Sequence, residues 1–269
     1  MRLRLARPVC GLAVLLAACA SSPPDIPYPA FLSVDTLPDI YLAGLPGVRA
    51  KPLAGATGDG AAGGYRIDLP SSWAGTSGAA PDKALEIFVI EGELSVADLN
   101  LTRGGYAYLP SGTLGFNLKS STGARVLYFL NSVDRKAVIR TPMIIESNLL
   151  EWTGTDVEGI STKELRSDPG TGARTWLVRI EPGARIPWES SSAIREGYFV
   201  AGNYMHSECV SGEAATDLYL PGGYVYRAAH AINGGPGASA ATTSVWFYRE
   251  QSASVTTTYG ECSVSAVGY

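Results

Sequence analysis

Ala84-Leu85-Glu86-Ile87-Phe88-Val89-Ile90-Glu91-Gly92 decides the fold, because Ile194-Arg195-Glu196-Gly197-Tyr198-Phe199-Val200-Ala201-Gly202 repeats its plan. In each stretch a Glu precedes an apolar-aromatic run that closes on Gly. Further along, Gly104-Gly105-Tyr106-Ala107-Tyr108 matches Gly222-Gly223-Tyr224-Val225-Tyr226. The offsets are 196 − 86 = 110 and 222 − 104 = 118. Paired landmarks in the same order imply a duplicated domain. The larger second offset predicts a longer hairpin in the second copy, around residues 207–216.

Outward from these landmarks the chain reads as short strands between turns. Residues 64–69, 125–130, 175–180 and 244–248 partly alternate apolar and polar side chains and are rich in β-branched and aromatic types. Pro169-Gly170, Pro182-Gly183 and Pro221-Gly222 mark turns. No long segment keeps a helical period, and residues 149–165 leave room for a short helix at most. The pattern predicts an all-β chain of two tandem jelly-roll barrels. With 46% hydrophobic and 17% charged residues, a sizeable core is expected. Net charge is −4, and no Lys/Arg run follows the first residues. The electrostatic footprint of a nucleic-acid binder is therefore missing.

The N-terminus reads as a targeting segment. Arg2, Arg4 and Arg7 precede an apolar stretch at 9–18 of about ten residues, against the ~20 that span a bilayer as a helix. It ends in Leu16-Ala17-Ala18-Cys19, which resembles the bacterial lipobox. That resemblance implies a lipidated Cys19 as the first mature residue. Ala20, rather than Asp, implies the outer membrane in a Gram-negative host, with the folded part facing the periplasm. The prolines of 21–29 predict an extended tether. The expected divisions are a signal at 1–18, lipidated Cys and tether at 19–44, a first domain at 45–133, a second at 134–252 and a tail at 253–269. Of the four Cys, Cys209 and Cys262 remain in the folded part. Outside the cytoplasm they either pair as a disulfide or stay as two buried thiols; no CxxC spacing supports a metal site.

The repeated unit resembles the cupin family. Its first motif is a Gly, a His-x-His pair, a Glu and a closing Gly; its second is a Gly, Pro-x-Gly and a final His. In the second copy Gly183 opens the motif, Glu189 and Ser191 stand for the two His, Glu196 for the Glu, and Gly202 closes it. After Gly223, Ala228 replaces Pro, His230 replaces Gly and Asn233 takes the final His position. The matching places in the first copy are Ala79, Pro81, Glu86 and Gly115, with the Pro110-Ser111-Gly112 turn kept. In detail, residues 180–189, 206–210 and 221–236 are similar to two-cupin bacterial proteins related to the cupin part of a zinc-binding anti-sigma factor.

This resemblance implies two barrels with degenerate metal sites. Glu86 alone does not hold a transition metal. Glu189, Glu196 and Asn233, with His230 nearby, form an oxygen-rich set that suits Ca²⁺ or Mg²⁺ weakly and lacks the imidazoles that favour Zn or Fe. No tightly bound transition metal is expected; Glu189, Glu196 and His230 are the weak metal candidates. Glu189, Glu196, Asn233, His230, Tyr226 and Arg227 are the ligand-binding candidates. Glu196 is expected to face the barrel interior, paired with Arg179, Arg185 or Arg227. His206 and Glu208 share a strand face that reads as solvated, with a small secondary site as the alternative. Trp188, Tyr198, Tyr224, Tyr226 and Trp246 read as core, with a stacking surface for a planar ligand as the alternative. The expected function is a non-catalytic small-molecule binding or sensing module on the cell envelope. Its alternative is a metal-dependent cupin enzyme, dioxygenase- or isomerase-like, using the carboxylates of the second barrel. The expected partners are the membrane through the anchor, a small molecule, and a second copy through sheet faces.

Overall fold

The structure, a computed structural model, describes residues 25–56, 63–76, 82–113, 115–132 and 134–263. The signal segment, Cys19, Ala79 and Pro81 lie outside the described residues. Both copies are jelly-roll β-barrels, set in tandem along the chain. Where a short helix was allowed for at 149–165, the structure has a 3-10 turn over Ser147–Leu149 and the strands Thr153–Gly154 and Ile160–Ser167.

In the first barrel the strands Gly63–Leu69, Lys83–Gly92, Gly105–Leu109 and Ala124–Ser132 belong to a seven-stranded sheet. It closes on a four-stranded sheet of Trp73–Thr76, Leu94–Val96, Leu99–Leu101 and Asn117–Ser120. Side chains alternate between the faces of a strand. Along Lys83–Gly92, Leu85, Ile87 and Val89 turn inward and meet Tyr65, Val126 and Tyr128 in one apolar cluster. Ala84, Glu86, Phe88 and Ile90 turn the other way, toward the second barrel. The centre of the first barrel is thus filled with apolar side chains.

The second barrel is an eleven-stranded sheet wound around Arg195–Val210, which pairs with Glu213–Tyr219, Gly223–Arg227 and Ser239–Glu250. Phe199, Tyr204, Tyr219, Val225 and Trp246 fill its core. The two barrels press sheet against sheet. Phe247 of the second lies against Phe88 and Phe129 of the first, with ring centroids 4.9 and 6.0 Å apart.

The copies also exchange strands. Leu32–Ser33 pairs with Gly223–Arg227 of the second barrel, and Met143–Glu146 pairs with Gly105–Leu109 of the first. Each barrel therefore borrows a strand from outside the span expected for it, at equivalent places in the repeat. The tail joins as well: Thr256–Tyr259 pairs with Trp188–Ser191.

The hairpin difference has a simple geometry. In the first copy Ala97 and Asp98 form a two-residue turn with φ of 49° and 66°; in the second, Ser211 and Gly212 do so with φ of 53° and 81°. Two consecutive positive φ values are those of the primed turns that suit hairpin twist. The turn offset is 211 − 97 = 114, between 110 before it and 118 after it. Each strand of the second hairpin is thus four residues longer (114 − 110 and 118 − 114). The added length carries His206, Glu208 and Cys209.

Candidate functional site

The inner face of the second barrel is set by one strand's register. Arg195 stands opposite Glu250, Gly197 opposite Tyr248, and Phe199 opposite Trp246. Phe199, Trp246 and Tyr248 pack in the barrel core, so this face is the inner one. Glu196 stands opposite Arg249, and Tyr198 opposite Phe247, on the face toward the first barrel. Glu196 is therefore not an interior group, contrary to the sequence expectation. A shift of one residue along a strand moves a side chain to the opposite face. Glu86 is displaced in the same way, out of the first barrel and into the seam between the two.

Arg195 stands on the inner face in place of a carboxylate and closes the barrel mouth with charge. Its Nη1 lies 2.7 Å from Glu189 Oε1 and its Nε 2.9 Å from Glu250 Oε1. Ser191 Oγ donates to Glu250 Oε1 at 2.7 Å, and Arg174 Nε reaches Glu250 Oε2 at 2.8 Å. Burial alone would raise the Glu250 carboxyl; Arg195 and these donors hold it down at about 2. Asn233 Nδ2 donates to the Glu189 carbonyl at 3.0 Å. Burial pushes the Tyr248 phenol, which lines the same space, up to about 12.

Deeper in, His206, Glu208 and Arg227 form a second cluster. Arg227 meets Glu208 in a fork, Nε to Oε2 at 3.0 Å and Nη2 to Oε1 at 2.6 Å. Glu208 is fully buried. His206 is buried as well, so the expected solvated face is a correction: the hairpin extension carries both groups inside. They are covered by the segment read as a free tether. Tyr28 OH donates to Glu208 Oε2 at 2.6 Å, the Phe31 amide donates to Tyr219 OH at 2.9 Å, and the Tyr226 amide donates to the Pro29 carbonyl at 2.9 Å. Residues 28–33 are thus part of the second barrel's wall.

The protonation of His206 follows from its neighbours. Arg227 Nη2 sits 3.2 Å from His206 Nε2, and a guanidinium only donates, so Nε2 accepts. Nδ1 then carries the proton toward Tyr204 OH, 3.2 Å away. Burial lowers this imidazole to about 4, well below its ordinary 6.5. Between those values the unfolded chain binds the proton that the folded one refuses. Stability is then full above pH 6.5 and falls as the pH drops toward 4, by roughly 3 kcal/mol. Urea denaturation at a series of pH values checks this. The His206→Gln variant is expected to lose less stability than the wild type across that window; parallel curves would contradict the assignment.

Between the barrels lies a third group. Glu86 is fully buried and accepts from Tyr106 OH at 2.6 Å and from Thr175 Oγ1. Arg166 Nε stands 3.6 Å and Arg249 Nη2 3.7 Å from it. Burial opposes its ionisation, but these two guanidiniums outweigh it and hold the carboxyl low. Glu196 accepts from Tyr224 OH at 2.7 Å and lies 3.5 Å from Arg249 Nε; its burial raises it. Glu196, Arg249 and Tyr226 line one cleft of about 360 Å³, and Arg166 and Tyr108 line a second of about 210 Å³. Asn131, Ser132 and Gln251 border both.

The sequence-derived candidates thus divide. Glu189 and Asn233 sit together at the mouth of the second barrel and Arg227 in the cluster beneath it, whereas Glu196 and Tyr226 face the cleft. His230 is exposed at a turn with φ of 66° and joins neither. Glu189, Glu196 and His230 do not converge. Among the described residues no three His, Cys, Asp or Glu side chains come together as a metal ion would need. Cys209 and Cys262 are joined in a disulfide, with Cα atoms 5.5 Å apart. Sequence reasoning missed Arg195, Glu250, Arg166 and Arg249. The signal that could have found them is the pairing of charged residues at strand ends otherwise rich in aromatics.

No family model matches the sequence, and no curated protein does. Solved structures match in fold. A "putative dioxygenase" of Nostoc punctiforme aligns over 87% of this chain and 88% of its own, with a TM-score of 0.69 and 20% identity. A "putative glyoxylate induced protein" of Pseudomonas aeruginosa covers 78% and 82%, with a TM-score of 0.65 and 16% identity. A variant of Bacillus subtilis oxalate decarboxylase covers 88% and 81%, with a TM-score of 0.62 and 11% identity. These are cupin proteins, and the likeness is one of fold.

Proposed function

We propose that this bicupin is a small-molecule binding or sensing module of the cell envelope that works without metal-dependent turnover. The single observation that carries this reading is Arg195 on the inner face at the mouth of the second barrel, clamped by Glu189 and Glu250. The fold family implies a divalent metal there, but the residues present do not fit one. Of the groups facing that space, Glu189 and Glu250 are neutralised by guanidiniums, Ser191 donates to Glu250, and Asn233 donates to a carbonyl. The one buried imidazole, His206, turns its acceptor nitrogen to Arg227. A fixed guanidinium has taken over the role of countering those carboxylates. Among the described residues the first barrel, apolar at its centre, offers no donor set. The envelope placement rests on the lipobox-like Leu16-Ala17-Ala18-Cys19.

Turnover tests the reading. Purified full chain, supplied with Mn²⁺ or Fe²⁺ and oxygen, is expected to consume oxalate and a small diketone no faster than metal in buffer alone. Metal-dependent consumption that saturates with substrate and disappears in Glu189→Ala would establish the enzyme reading in its place.

A further inference from the structure

A third cleft, of about 440 Å³, lies between the barrels and shares no lining residue with the other two. Phe88 of the first copy and Leu177, Val200 and Val245 of the second give it an apolar wall, with Trp152 beside them. Among the described residues no Asp or Glu lines it, whereas Lys163 and Arg103 do. Lys163 is only 7% exposed, and an ammonium carries three donors. One goes to the Ser147 carbonyl at 2.8 Å, and Nζ lies 4.7 Å from the centre of the Trp152 ring. Ser147 and Trp152 both line the cleft, so the ammonium stands in its wall. Among the described residues it has no second acceptor and no carboxylate within 4.0 Å. A buried charge is as a rule paired.

The surrounding charges do not complete it. Arg179 lies 4.7 Å from the centre of the same Trp152 ring and is paired with Glu181 at 3.1 Å. Burial, with Arg179 adding to it, lowers the Lys163 pKa. Glu146 is held by the Thr102 amide and hydroxyl, at 2.9 and 3.3 Å. Glu151 is exposed and acts on Lys163 from beyond 4.0 Å. Arg103 is exposed and likewise has no carboxylate within 4.0 Å among the described residues. A single negative charge supplies the partner that Lys163 lacks. The apolar wall beside it suits an apolar body and disfavours a second charge.

We propose that this cleft binds a small organic acid, with its carboxylate on Lys163 and its apolar body against Phe88, Leu177 and Val200. The assignment rests on the binding reading above and supplies its ligand class. Calorimetry on the purified full chain tests it, with hexanoate, benzoate, acetate, hexanol and benzyl alcohol as probes. At least one of hexanoate and benzoate is expected to bind saturably. Acetate, which lacks the body, and the matching alcohol, which lacks the charge, are each expected to bind about tenfold or more weakly. Lys163→Met keeps an apolar stem and removes the charge. It is expected to weaken the acid by about tenfold or more, as the loss of a charge-assisted pair does, with a melting temperature no lower than that of the wild type. Arg103→Glu, at the exposed rim, is the second variant and is expected to weaken the acid by about threefold or more at low salt, and less at high salt. No saturable heat with either acid, equal binding of the matching alcohol, or unchanged binding in a folded Lys163→Met would overturn the site. If Lys163→Met does not fold, unchanged low-salt binding in Arg103→Glu overturns it instead. Metal-dependent turnover would overturn the metal-free reading and leave these heats unaltered, so the two failures are distinguishable.

Discussion

Replacing Arg227 by Met is expected to cost about 3–5 kcal/mol of folding stability, as removing one partner of a buried ion pair does. Glu208 is fully buried and takes both oxygens of its carboxylate to the Arg227 fork, at 2.6 and 3.0 Å. Burial would raise that carboxyl, and Arg227 is what keeps it low. Without the guanidinium, Glu208 keeps the Tyr28 OH as a donor, with the imidazole of His206 3.5 Å away. It must then protonate or draw the N-terminal strap away. The double variant Arg227→Met with Glu208→Leu is expected to recover most of the loss, because neither charge is then left unpaired. Urea denaturation of the two single variants and the double measures this coupling. A single variant within about 1 kcal/mol of wild type, the size of a surface pair, would contradict the buried cluster.

The disulfide comes next in size. Cys209 and Cys262 lie 53 residues apart in sequence, and closing a loop of that length removes about 4 kcal/mol of unfolded-chain entropy in the chain model. The bond fixes the tail strand Thr256–Tyr259 against Trp188–Ser191, the strand that carries Glu189 and Ser191. Trp188, Ile232 and Tyr259 pack around it. Cys262→Ser, or reduction, is expected to lower the melting temperature and to free the tail for proteolysis. Thermal melts with and without reductant check it; identical melts, with alkylation confirming that both thiols were free, would remove the bond from the account.

The repeat, the all-β pattern and the longer second hairpin were all legible in the sequence, because each rests on local spacing. The facing of the site residues was not. Along 195–200 one face carries Arg195, Gly197 and Phe199 and the other Glu196, Tyr198 and Val200; both are buried, so polarity does not alternate. Alternation reports facing only where one side meets water. Aligning the motif Glu with Glu196 therefore misplaced it by one residue, and the group on the inner face is Arg195. His206 and Glu208 failed for a different reason. Polar residues on a strand read as solvated unless something covers them, and here the cover is Tyr28, 180 residues from Glu208. Over the described residues 25–29 the structure has no helix, as the prolines predicted, but they carried no sign that the strap docks. Strand exchange was equally hidden, since Leu32–Ser33 and Met143–Glu146 gain their meaning from partners in the other copy.

By the reading proposed above, the Arg195 guanidinium at the mouth of the second barrel stands in place of a metal ion. Metal content by mass spectrometry, on full chain purified without chelator or a His tag, tests it most directly. The expected result is manganese, iron, nickel and zinc all far below one ion per chain, with no change in Arg195→Met preparations dialysed against the same metals. Close to one transition-metal ion per wild-type chain, lost on Glu189→Ala, would contradict it.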